Sequence, residues 1–163
     1  MQKQFMLAAC LVYAAFFTAA AQGDLCSDIK GIVAQYVKDK NKLMGTEKSK
    51  DDMMSYYTCP FKLTGAASIE TRGYTSLKAP ESVLGYYATD IKEADSKKQF
   101  AALVEKLKQC YPDAKKGSDD DEGEEYQARE GKCFIYLTRF NSKTDPDTYE
   151  NFYSIHIQIM FYD

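Results

Sequence analysis

Few residues of this chain carry side chains suited to bond chemistry. His156 is the only histidine. It lies in a run where Ser154, His156 and Gln158 alternate with Tyr153, Ile155, Ile157, Ile159 and Phe161, so a strand would place it on the polar side. There it could act as a general base, oriented by an Asp or Glu. No G-x-S-x-G element and no second histidine accompany it, and the plainer reading is a cross-strand polar residue.

The run from Asp119 to Glu125 holds six carboxylates around Gly123 and could supply oxygen ligands to Ca²⁺. EF-hand spacing is missing, because Gly123 comes too early for a loop starting at Asp119, and adjacent carboxylates repel one another. The run reads as a solvated loop, with no metal and no cofactor implied. Paired carboxylates for glycosidic cleavage are defined by their separation in space. Among 24 acidic residues, candidate pairs in sequence carry no weight.

Cysteine chemistry depends on the N-terminus. Residues 1–21 read as a secretory signal peptide: Lys3 gives the positive n-region, Phe5 to Phe17 the apolar core, and Ala19-Ala20-Ala21 a cleavage site before Gln22. An uncleaved anchor would need about 20 apolar residues, more than this Ala-rich stretch offers. Leu7-Ala8-Ala9-Cys10 resembles a lipobox, but the apolar core follows Cys10 instead of preceding it, so Cys10 is expected to leave with the leader. Four cysteines then remain, Cys26, Cys59, Cys110 and Cys133. An even number in an exported chain argues for two disulfides and against a free thiolate nucleophile. There is no C-x-x-C pair, and gaps of 33, 51 and 23 residues do not suit zinc.

The mature chain, residues 22–163, has the size of one domain. Loss of Lys3 takes the net charge from −3 to −4, which gives no electrostatic reason to bind nucleic acid or an anionic membrane. No second apolar stretch is long enough for stable membrane insertion. Tyrosine is the one compositional excess: twelve of 13 lie beyond the leader, and there is no Trp. Two adjacent pairs, Tyr56-Tyr57 and Tyr86-Tyr87, fall in extended segments, where neighbours must point to opposite faces.

The elements that would position these residues follow from periodicity. Leu25, Ile29, Ile32, Val33, Tyr36 and Val37 predict a helix over 25–39 with Asp24 as N-cap. Lysine-rich 38–50 reads as a loop. Strands are expected at 55–63, 68–76 and 83–91, with Pro60 marking an edge or bulge in the first. Phe100, Leu103, Val104, Leu107 and Tyr111 form the stripe of a second helix, capped by Asp95 or Ser96 and stopped by Pro112. Residues 113–125 read as a charged loop. Strands at 132–140 and 152–162 enclose a turn at Asp145-Pro146-Asp147. No internal repeat is visible.

The order α-β-β-β-α-β-β predicts a single α+β domain whose mainly antiparallel sheet has two helices on one face. At the level of element order alone it resembles type III secretion chaperones, which implies no function. If the first helix ran antiparallel to the first strand, Cys26 and Cys59 would meet, and Cys110 would meet Cys133; those are the expected bridges. Tyr57 and Tyr87 should face the helices, leaving Tyr56 and Tyr86 on the open face, where tyrosine suits recognition. The expectation is an exported non-enzymatic domain, periplasmic or extracellular, that binds a protein or envelope component through that face. The alternative is a small secreted hydrolase using carboxylates or His156.

Overall fold

The computed structural model describes residues 24–77, 79–120 and 123–162, with backbone alone at 118–120. The signal peptide, its cleavage site and Cys10 lie outside the described residues. Helix α1 (Leu25–Asp39) begins as its sequence directs: Asp24 accepts from the Cys26 amide at 3.0 Å, and Leu25, Ile29, Ile32 and Val33 are buried along one stripe. A 3-10 turn (Lys40–Leu43) follows, then four strands, β1 (Glu47–Lys50), β2 (Met54–Thr58), β3 (Ser68–Tyr74) and β4 (Ala79–Lys92). Helix α2 (Glu93–Cys110) leads into four more, β5 (Lys115–Asp120), β6 (Gly123–Glu130), β7 (Cys133–Thr144) and β8 (Asn151–Phe161).

All eight strands form one antiparallel sheet in the order β1-β2-β3-β4-β8-β7-β6-β5. Among the described residues, the α+β domain with two helices is as expected, but there are eight strands where five were expected. The element order behind the chaperone resemblance therefore does not hold. The strands that periodicity missed, β1, β5 and β6, are largely polar. Both edges carry charge, which blunts pairing with other chains: every residue of β1 is exposed, and β5 opens with Lys115 and Lys116. The strand expected at 55–63 stops at Thr58, and α2 starts at Glu93 with Lys92 as a cap that makes no side-chain bond.

The chain is thus a helix followed by a four-strand meander, used twice, with the meanders joined through antiparallel β4 and β8. Ile29, Ile32 and Val33 of α1 have counterparts in Phe100, Leu103 and Val104 of α2, each 71 positions on. The repeat is architectural and has little trace in residue identity.

Both helices pack on one face. Their buried residues join Val83, Ile135, Leu137, Ile155, Ile157 and Ile159 in a single core. Leu63, in the segment after β2, also lies under this face. A Cβ added at Gly85 would come within 2.7 Å of its Cδ1, so β4 admits only glycine at that contact without a shift.

The disulfide pattern differs from expectation. Cys26 bonds to Cys110, with Cα atoms 5.2 Å apart, while Cys59 and Cys133 are free thiols. The helices lie in one layer and the first turn of α1 meets the last turn of α2, so neither cysteine pairs with the sheet below. Burial pushes both free thiols up, away from the reactive thiolate. The bridge fits an oxidising, extracellular or periplasmic setting. Among the described residues, no helix is long and apolar enough to cross a membrane.

Candidate functional site

The helix-free face is read directly from strand register, since residues paired across antiparallel strands share a face. One row runs Tyr56, Arg72, Ser82, Met160, Phe134, Arg129. The next runs Thr58, Glu70, Leu84, Gln158, Tyr136, Gln127. A third runs Ser68, Tyr86, His156, Thr138, Glu125. Tyr56, Tyr86 and His156, all singled out from sequence, therefore share the open face. Tyr57 pairs with Thr71 on the helix side, and Tyr87, half-buried against the core, donates to the Thr64 carbonyl at 3.3 Å.

Within this face the structure ties two of those residues to a pair that sequence reading passed over. Glu70 Oε1 accepts from Arg72 Nε at 2.8 Å and from the Tyr86 hydroxyl at 3.1 Å. Arg72 Nη2 also donates to the Tyr86 oxygen, and its guanidinium sits 5.5 Å from the centre of the Tyr56 ring. Glu70 and Arg72 were findable: the period-2 alternation of Ser68, Glu70 and Arg72 puts them on one face opposite Ile69 and Thr71. Their convergence on Tyr86 depends on register, which the sequence does not print.

His156 occupies the other side of Tyr86. Its ring meets Tyr86 edge-on with centroids 6.3 Å apart and Phe140 at 5.4 Å. Burial, reinforced by the nearby Arg72 cation, lowers its pKa to about 4, so the imidazole is neutral at pH 7. Its Nδ1 is buried without a hydrogen-bond partner. No carboxylate orients the ring through that atom, as a general base would require. Burial likewise raises the Tyr86 hydroxyl pKa.

The described part of the acidic run lies in strands β5 and β6, not in a loop: Asp119 pairs with Glu124 and Asp120 with Gly123, and the alternation turns Glu124 and Glu125 to opposite faces. Glu124 accepts from Arg139 Nη1 at 3.0 Å on the helix side, and Glu125 accepts from Gln127 at 2.7 Å on the other. Among the described residues no three His, Cys, Asp or Glu side chains group as metal ligands. Arg139 was also passed over, being an arginine in an apolar strand. Its side chain is 5% exposed, its Nε donates to Ser96 at 2.8 Å, and its guanidinium lies 4.0 Å from the centre of the Tyr153 ring. This cluster pins α2 to the sheet beside a groove of about 350 Å³ lined by Glu105, Glu124, Lys97 and Lys108.

The chain matches no known family model, no curated protein and no solved structure.

Proposed function

We propose that this is an exported, non-enzymatic protein that binds a protein or envelope component through the helix-free face of its sheet. The observation that carries the reading is the Tyr56–Arg72–Glu70–Tyr86 cluster. Its two charges neutralise each other, and its rings are held by an ion pair, a cation–π contact and two hydroxyl bonds. Amphipathic groups fixed in advance lose little entropy when a partner closes over them. The hydrolase alternative draws less support, because His156 lacks an orienting acid and Glu124 is committed to Arg139.

Affinity capture from the native exported fraction tests the proposal. Tyr56→Ala is expected to hold its melting temperature within about 2 °C, since only a partly exposed ring is lost. It should also reduce recovery of the captured partner about tenfold, the scale of an aromatic contact at an interface. Tyr86→Ala should lose the partner as well, at a further cost of about 1 kcal/mol for the broken hydroxyl bonds. Unchanged capture by both variants would end the proposal, and collapse of folding in both would reassign the tyrosines to the core.

A further inference from the structure

His156 lies on the helix-free face but takes no part in the Tyr56–Arg72–Glu70–Tyr86 cluster. Register puts it directly opposite Tyr86 on β4 and Thr138 on β7. Its ring meets the Tyr86 and Phe140 rings edge-on, and its Nδ1 is buried with no protein atom bonded to it. A neutral imidazole can be kept in such a gap at the cost of one unmade hydrogen bond. An imidazolium cannot, because both of its nitrogens donate and a buried charge needs an acceptor.

The groups around the ring supply none. Neither helix packs on this face. On the adjoining strands the titratable neighbours are Tyr86, opposite it, and Tyr136, two residues from Thr138. Glu70 on β3 is ion-paired with Arg72, and Glu125 on β6 lies beyond Thr138 in the same row. Asp90, near the end of β4, accepts from Ser142. No hydrogen bond or ion pair joins any of these acids to His156. Arg129 over Phe134, Lys143 over Phe152 and the Lys92–Glu150 pair stand further off. Burial is the main obstacle to a charge on His156, and the Arg72 cation adds to it.

We propose that a proton on His156 and a partner on the open face exclude each other, so that acid releases the partner. The inference rests on the binding proposed above and adds its regulation. A partner closing over Tyr56 and Tyr86 takes the neighbouring imidazole further from water, which favours the neutral form. A charged His156 has to leave its gap to be solvated, and Tyr86 then loses a ring that packs against it. Linkage makes these one free energy: what the partner takes from proton affinity, the proton takes from partner affinity. Affinity is therefore full where His156 is neutral in the free protein. It falls as pH drops through about 4, approaching tenfold per pH unit below that.

His156 is the sole histidine, so its Cε1 proton gives the only imidazole signal in an NMR spectrum of the native protein. In the free protein that signal should titrate with a midpoint near pH 4 while the fold persists, and the Tyr86 ring signals should move with it. The probe for binding is the species that immobilised wild type captures from the native exported fraction at pH 7 and Tyr56→Ala does not. A wash at pH 3.5 should leave about a quarter of it on the wild type. His156→Gln keeps Glu70, Glu125 and Asp90, and should hold at pH 3.5 what it captured at pH 7. Equal release from both proteins would overturn the proposal while leaving the binding itself intact. An imidazole midpoint near the ordinary 6.5 would also overturn it, as would unfolding of the wild type above pH 3.5. Failure of the wild type to capture any such species at pH 7 would end the proposed binding, and its regulation with it.

Discussion

At the residue scale, the buried ionisable groups define what the fold tolerates. His156 has a folded pKa near 4 against an ordinary value of 6.5, so between those limits the unfolded chain binds more protons than the folded one. Stability is therefore complete above about pH 6.5 and is lost as pH falls towards about 4, by roughly 3 kcal/mol from this group. Urea titrations at pH 7 and pH 4.5 should show that loss in the wild type and a smaller one in His156→Gln. An equal loss in both would assign acid sensitivity to other groups. Arg139 offers a second test. Its removal strips Glu124 of its ion pair and Ser96 of its donor, and Arg139→Ala should cost about 3 kcal/mol. Arg139→Met, which keeps the packing on Tyr153, should cost less, and chemical denaturation of both variants measures the difference.

At the element scale, the main device is the bridge between the ends of the two helices. It closes a separation of 84 residues, and in the chain-entropy view it stabilises by about 4.5 kcal/mol. Cys26→Ser with Cys110→Ser should lower the urea midpoint accordingly. A peptide map of the unreduced protein should show Cys26 joined to Cys110. Cys133, 1% exposed, should resist iodoacetamide in buffer and react in urea, whereas labelling of Cys133 in the native protein would contradict its burial. The helices themselves were legible, because Ile29, Ile32 and Val33, and Phe100, Leu103 and Val104, repeat with a helical period next to polar residues. The strands β7 and β8 were legible for the same reason with period 2. β1 and β6 were not. Their polar side chains give no apolar alternation, and they are strands because neighbouring backbones supply hydrogen bonds. Glu124, expected in a solvated loop, is held by Arg139, which stands opposite it on the neighbouring strand β7.

At the scale of the whole molecule, two meanders meet through β4 and β8, whose residues Val83, Ile155, Ile157 and Ile159 are fully buried. Amides of these strands should exchange only through global unfolding and be the slowest in hydrogen exchange, while β1 and β5, at the charged edges, should open locally. Equal protection of edge and centre would contradict this order. The same assembly gives the sheet one covered face and one open face.

What the sequence determined alone was local: an α+β composition, the two helices with the Asp24 cap, and the alternation that turns Tyr56, Tyr86 and His156 away from the core. Those features depend on neighbours a few residues apart, so periodicity records them. Cysteine pairing, strand register and the closure of Glu70 and Arg72 on Tyr86 were decided only by tertiary structure. They depend on which segments meet in space, and 71 positions of separation between equivalent halves leave no local pattern from which to read that.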